Sequence, residues 1–220
     1  MKRILFALSL LTAALTAAAD DWVSLFNGED LSGWRVHGGG ATFVVEDGAI
    51  VGRNGPDHNT FLCTDRDYAD FELEFEVKLI SPLNSGVQIR STFRPEERDG
   101  RMVERVYGPQ IEIEGSPGES GYIFGERAGG WLTPADKLIP HDLFKAGEWN
   151  HYRIVAQGPR IQTWINGASV SDLTHPLIFA HHATGFIGLQ VHQIEAEPAT
   201  RKVAWRHIRV REVSGKPIQP

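Results

Sequence analysis

Three polar side chains in the segment YGPQIEIEG are placed so that they could do chemistry together. Gln110, Glu112 and Glu114 alternate with two isoleucines. A period of two is typical of a β-strand, so the three polar side chains share one face of it. An amide and carboxylates suit a sugar, because each sugar hydroxyl both donates and accepts hydrogen bonds, and a carboxylate can also transfer a proton. We therefore interpret this face as the floor of a site.

Two further segments repeat the pattern. In NSGVQIRS, Gln88 and Arg90 share a face opposite the apolar residues, and in IGLQVHQ the same holds for Gln190 and His192. If these strands are neighbours in one sheet, their polar faces form a continuous surface of hydrogen-bond donors and acceptors. A guanidinium group or a planar amide can bind two neighbouring hydroxyls of a sugar.

Aromatic rings usually complete a sugar site by stacking on the apolar face of the pyranose. Trp131, in the segment AGGWLTP, is the first candidate, followed by Tyr122 and Phe124 in GYIFGER. The alternative for Trp131 is a loop residue folded back onto the core, since buried tryptophan is common.

Other kinds of site have weaker signals. The glycine-rich segment GSPGESGYIFGERAGG lacks the Gly-Lys-Ser/Thr ending and the following helix of a phosphate loop. His181, His182 and His192, with Glu195 and Glu197, could ligate a metal, but their spacing fixes no helical face. No strand-to-helix nucleophile elbow supports a Ser-His-acid site. We predict no certain cofactor; a divalent cation such as calcium stays an alternative, although no oxygen-rich loop has a known calcium spacing.

The elements that must position these residues are strands. Short period-two runs rich in Val, Ile, Phe and Thr predict strands over 42–45, 49–52, 71–80, 86–92, 110–114, 151–157, 160–165, 186–191 and 203–210. Asp47-Gly48, Asn166-Gly167 and Gln157-Gly158-Pro159 are typical of the turns of hairpins. Residues 134–144 could hold one short helical turn, which Pro140 limits. The sequence predicts a single all-β domain over residues 20–220, a sandwich or jelly roll.

The first residues predict export. Lys2 and Arg3 precede an apolar run over residues 4–19, and Ala17-Ala18-Ala19 fits the cleavage rule of a signal peptide. We expect residues 1–19 to be removed and the protein to be periplasmic or secreted. No Cys follows the cleavage point for lipid attachment, and no later apolar stretch is long enough to span a membrane.

Composition excludes some partners. The chain carries a net charge of −6 and has no basic run, so we predict no nucleic-acid partner. Cys63 is the single cysteine and cannot form an internal disulfide, so stability must come from an apolar core.

Several segments together resemble one known family. They are SLFNGEDLSGW (24–34), NSGVQIR (84–90), GEWNHYRIVAQGPRIQTWING (147–167), IGLQVH (187–192) and VAWRHIRVREV (203–213). They are similar, in the same order, to the 3-keto-disaccharide or 3-keto-glycoside hydrolases, formerly domain of unknown function 1080. The resemblance implies a concanavalin A-like (lectin/glucanase, laminin-G-like) jelly-roll sandwich that cleaves glycosides oxidised at C3. The chain departs from the family where many members have a Tyr-Glu-x-Gln-like stretch ending in Asp.

The implied reaction assigns roles to the polar face. A ketone at C3 acidifies the hydrogen on C2, so a base can remove it and the C1 aglycone can leave before water adds. We expect Glu112 or His192 to take the C2 proton, and Arg90 and Gln110 to stabilise the enolate. Glu114, or the other member of the first pair, would assist departure of the aglycone.

The sugar itself is predicted to be held by Gln88, Gln190, Tyr122 and Trp131. A non-catalytic carbohydrate-binding sandwich is the alternative function, because this architecture also serves binding modules. An ordinary glucanase of the same fold would need a Glu-x-Asp-x-x-Glu-type strand, and the QIEIE segment lacks that spacing.

Overall fold

The computed structural model describes residues 21–98, 100–194 and 200–213, so the predicted leader, residues 1–19, lies outside the described residues. These residues fold almost entirely into strands. In chain order the elements are β1 Val23–Ser24, β2 Trp34–Gly38, β3 Thr42–Glu46, β4 Ala49–Arg53, β5 Thr60–Tyr68, β6 Phe71–Leu79, β7 Ser85–Arg98, β8 Arg101–Ile113, β9 Ile123–Glu126, β10 Gly130–Trp131, β11 Asn150–Gln157, β12 Arg160–Ile165, β13 Ala168–Thr174, α1 Pro176–His181, β14 Gly185–Val191 and β15 Lys202–Glu212.

Two antiparallel sheets form a sandwich. The first has the order β13-β12-β11-β6-β15-β4-β3, with β1 paired to β15, and the second has the order β10-β9-β8-β7-β14-β5-β2. The alternating apolar side chains of both sheets meet in one large core, which includes Phe75 and Trp205 from the first sheet and Ile111 and Leu189 from the second. The predicted all-β jelly-roll sandwich is therefore confirmed.

The period-two runs located the strands well. Each predicted run lies inside an observed strand or matches it to within a residue. The Asp47-Gly48 turn has the expected positive φ values, 50° and 71°, between β3 and β4. Residues 134–144 contain one hydrogen-bonded turn, in which the Lys137 N–H donates to the carbonyl oxygen of Pro134 at 2.8 Å. The short helix α1 begins later, at Pro176. Among the described residues, no helix is long and apolar enough to cross a membrane.

The acidic face of β6, formed by Glu72, Glu74 and Glu76, is more buried than its alternating sequence predicts. Glu72 is only 2% exposed, because Arg153 from β11 and Arg211 from β15 both pair with its carboxylate. Although alternation alone predicts that this face of the strand is solvated, arginines from the two neighbouring strands cover it at Glu72.

The long β7–β8 hairpin crosses the outer face of the second sheet. Phe93 of the hairpin stacks on Phe186, with ring centroids 4.4 Å apart, and Val106 joins the same small apolar cluster. Phe61 and Cys63, on the outer face of β5, complete the cluster. The hairpin covers one half of this outer face, and the other half stays open.

Candidate functional site

The open half of the outer face holds a pocket of about 430 Å³, in the range of small-molecule sites. Strands β8, β9, β10 and β14, with the residues that directly follow them, supply nine of its side chains, and the loops before β5 and β7 supply two asparagines. Its lining residues are Asn59, Asn84, Gln110, Glu112, Glu114, Phe124, Glu126, Arg127, Trp131, Gln190 and His192.

A glycine lets the polar side chains of the floor meet. Gly86 on β7 pairs with Glu112 of β8 on one side and with Gln190 of β14 on the other. A Cβ atom at Gly86 would lie 2.5 Å from Cδ of Gln110. The missing side chain therefore leaves the space in which the Gln110 amide crosses the floor.

Glu112 is the most buried carboxyl group of the pocket, at 5% exposure. Its Oε2 accepts a hydrogen bond from Nε2 of Gln110 at 3.0 Å, and its Oε1 accepts one from Nδ2 of Asn84. Burial raises the pKa of Glu112 to about 7, although these two hydrogen bonds oppose the rise. This carboxyl group can therefore exchange a proton close to neutral pH.

The neighbouring strand β9 carries another carboxyl group of the pocket, which the sequence did not single out. Glu126, on β9, accepts a hydrogen bond from Nε2 of Gln190 at 3.4 Å. Burial raises the pKa of Glu126, while the positive charge of Arg127, and that of His192 when its ring is protonated, oppose the rise. The signal that could have found Glu126 is its position two residues after Phe124 in the short segment IFGE, because such residues share one face of a strand.

His192 has a defined tautomer. Its Nδ1 lies 2.9 Å from the carbonyl oxygen of Gln193, and because a carbonyl only accepts, Nδ1 carries the proton. In the neutral ring Nε2 then keeps its lone pair, as a base requires, and in the imidazolium Nε2 also carries a proton, as an acid requires. Asn59, also missed from the sequence, accepts the Gln193 N–H through Oδ1 at 3.1 Å, and its side chain also hydrogen-bonds to the carboxyl group of Glu126.

Glu114 and Trp131 complete the predicted residues in the pocket. Oε1 of Glu114 accepts the backbone N–H of Glu119, and burial raises the pKa of Glu114. Trp131 is 40% exposed and contacts Phe124 edge-to-face, with ring centroids 5.4 Å apart. Its ring lines the pocket and is not packed into the core.

Arg90 does not lie in the pocket, which corrects its predicted role. The pairing of β7 with β8 shifts register between Gln88 and Thr92, and Arg90 has a φ of 47° within this bulge. Its Nη1 donates to the carbonyl of Gly158 at 2.7 Å, and Nη2 donates to Asp70 at 2.8 Å. Arg90 therefore ties loops together instead of stabilising an enolate.

Two predicted sugar ligands are also absent from the pocket lining. Gln88 is fully buried beneath the floor, with its amide bound to Gln110 and Ser91. Tyr122 is buried, and its hydroxyl donates to the carbonyl of Ile139 at 3.2 Å. Neither side chain is placed to contact a sugar, because packing and internal hydrogen bonds occupy both.

The sequence-predicted residues thus divide into two groups. Those that the structure brings together in the pocket are Gln110, Glu112, Glu114, Trp131, Gln190 and His192. Those that lie elsewhere are Gln88, Arg90 and Tyr122.

The described residues contain no group of three or more His, Cys, Asp and Glu side chains that could hold a metal ion. His181 ends α1 and His182 caps it. Glu195 and Glu197, which the metal alternative also invoked, lie outside the described residues.

Comparison with known proteins agrees with a carbohydrate-related site. Residues 21–211 match the 3-keto-alpha-glucoside-1,2-lyase-like domain family. The chain belongs to this family. The match spans nearly all of the described residues, and it confirms the resemblance read from the sequence segments. No curated protein matches the sequence.

Solved structures of similar fold support the architecture. A protein from Parabacteroides distasonis ATCC 8503 that is proposed to be a glycosyl hydrolase has a TM-score of 0.58 and 17% identity, over 90% of this chain and 98% of that chain. A second such protein from the same organism has a TM-score of 0.55 and 23% identity, over 87% and 99%. The carbohydrate-binding module CBM66 from Bacillus subtilis has a TM-score of 0.56 and 15% identity, over 82% and 96%. At these identities, the similarity shows the shared fold alone.

Proposed function

We propose that the protein cleaves the glycosidic bond of 3-keto-glycosides by elimination of the aglycone followed by addition of water. The observation that carries this proposal is Glu112, a buried carboxyl group with a pKa of about 7 on the floor of a polar pocket, in a chain of the 3-keto-α-glucoside-1,2-lyase-like family. A group that titrates near neutral pH is suited to remove a proton from a carbon acid.

In the first step, Glu112 takes the proton from C2 of the sugar. The electron pair of the C2–H bond forms the C2–C3 double bond, and the C3 oxygen becomes an enolate. Donors near this oxygen would lower the barrier. Because Arg90 lies elsewhere, we assign the cationic role to Arg127, which lines the pocket, with the amides of Asn59 and Gln110 as neutral donors.

In the second step, the enolate re-forms the ketone, a C1–C2 double bond forms, and the bond from C1 to the aglycone oxygen breaks. The leaving oxygen needs a proton, which His192 or Glu126 in the pocket lining can supply. Water then adds to C1 while C2 regains a proton, so the net reaction is hydrolysis. Glu114 lies beside Glu112 in the lining and is the remaining acid of the pocket.

The proposal is tested by comparing two aryl glycosides that differ only at C3. The purified protein should release 4-nitrophenol from 4-nitrophenyl 3-keto-glucoside and leave the unoxidised 4-nitrophenyl glucoside intact, since only the ketone acidifies C2. Release from the unoxidised compound would instead indicate an ordinary glycosidase, which uses an oxocarbenium-like path. Binding of the keto compound without release would favour a carbohydrate-binding module.

Trp131 is assigned to stack on the sugar. Replacing Trp131 with Ala should raise KM for the 3-keto-glycoside by roughly threefold to tenfold, because an aromatic contact contributes about 0.5–1.5 kcal/mol. Steady-state kinetics measure this change, with Leu177→Ala on the exposed face of α1 as the control. An unchanged KM in Trp131→Ala would remove Trp131 from the binding site.

A further inference from the structure

A chain of hydrogen bonds runs beneath the pocket floor and ends at Glu112. The hydroxyl of Ser91 donates to Oε1 of Gln88 at 2.7 Å, and Nε2 of Gln88 donates to Oε1 of Gln110 at 2.7 Å. Nε2 of Gln110 then donates to Oε2 of Glu112 at 3.0 Å. Apart from Glu112 itself, every member of this chain is at most 2% exposed.

The chain of hydrogen bonds has a direction, because each amide has one accepting end and one donating end. Since Gln88 donates to the oxygen of Gln110, Gln110 must turn its NH₂ group towards Glu112. An N–H donor stabilises an ionised carboxylate, whereas a carbonyl in the same place would stabilise the protonated acid. The orientation of the two glutamine side chains therefore selects the charge state of Glu112.

Two glycines reserve the space for this chain. A Cβ atom at Gly108 would lie 2.3 Å from Oγ of Ser91, and one at Gly86 would lie 2.5 Å from Cδ of Gln110. Any larger residue at either position would push a member of the chain out of place. The backbone thus leaves room for the hydrogen-bond chain at Ser91, its first member, and at Gln110.

We propose that Gln88 is a positioning residue that acts through Gln110 to hold Glu112 in the ionised form that removes the C2 proton. Gln88 is fully buried and does not line the pocket, so it cannot contact a substrate itself. The kinetic consequence of this inference rests on the proposed function, whereas its effect on Glu112 does not.

Two substitutions of similar size separate the donor of Gln88 from its bulk. Gln88→Met removes the donor, so Gln110 loses its fixed orientation. Gln88→Glu accepts from Gln110 instead, which turns the carbonyl of Gln110 towards Glu112 and favours the protonated acid. We expect the acidic limb of the pH dependence of kcat/KM to move upwards by about one pH unit in Gln88→Met and by more in Gln88→Glu. Gln162→Met, a buried glutamine of the first sheet, is the matched control and should show no shift.

A titration without substrate gives the decisive readout. The ¹³C chemical shift of the Glu112 carboxyl, identified by its loss in Glu112→Gln, should titrate at higher pH in both Gln88 variants than in the wild type. Ser91→Ala, which removes the first donor of the chain, provides a third variant should Gln88→Glu fail to fold. Unchanged titration midpoints in the folded variants would overturn the proposal. A wild-type protein without activity on 3-keto-glycosides, but with shifted midpoints in the variants, would refute the proposed reaction and support the positioning role.

Discussion

Glu112→Gln is expected to lower kcat on a 3-keto-glycoside by roughly 10²-fold to 10⁴-fold, the usual contribution of a general base. The amide has nearly the same shape as the carboxyl and still fills the floor, so KM should change little. It cannot accept the C2 proton, so elimination has no base in this position. Release of the aryl group under steady-state conditions measures the loss.

The control for this prediction is Glu104→Gln on the β7–β8 hairpin, an exposed carboxylate outside the pocket lining. It should retain wild-type kcat and KM. Wild-type turnover by Glu112→Gln would show that another group, with His192 first in line, removes the proton.

The same carboxyl group should make stability depend on pH. The folded pKa of Glu112, about 7, lies above its ordinary value of 4.5, so folding favours the protonated form. This favourable contribution is complete below the unfolded pKa and disappears as the pH rises through the folded pKa. Glu112 should therefore cost the wild type about 3 kcal/mol of unfolding free energy between pH 4.5 and pH 8.

Urea unfolding at pH 5 and at pH 8 measures this effect. Glu112→Gln has no proton to lose, so its stability relative to the wild type should rise by roughly 2–3 kcal/mol between the two pH values. Glu104→Gln, which replaces an exposed carboxylate, should have the stability of the wild type at both pH values. If the stabilities of Glu112→Gln and the wild type changed in parallel with pH, burial would not raise the pKa of Glu112.

Period-two alternation predicted those parts of the site that lie on regular strands. Gln110, Glu112 and Gln190 reach the pocket because β8 and β14 keep their register there, so every second side chain points to the same face. The strand β5 was missed for a related reason. Its outer face packs under the hairpin, so Phe61 and Cys63 interrupt the alternation that marks a half-buried strand.

The errors have local structural causes. Arg90 was placed on the polar face because alternation assumes a regular strand, and nothing in the segment NSGVQIRS marks a bulge with positive φ at an arginine. Gln88 does alternate with the apolar residues, yet pattern alone cannot tell that Gln110 binds its amide. Glu126 lies on a strand of four residues, too short for a period to stand out. Tertiary packing, rather than local pattern, decided each of these positions.

The measurement that tests the account most directly follows the hydrogen on C2. A 3-keto-glycoside carrying deuterium at C2 should release its aglycone more slowly than the unlabelled compound, because the C2–H bond breaks in the first step. In ordinary water the 3-keto sugar formed should have exchanged that deuterium for hydrogen. Equal rates for the two compounds, with deuterium fully retained at C2 of the product, would contradict elimination by Glu112.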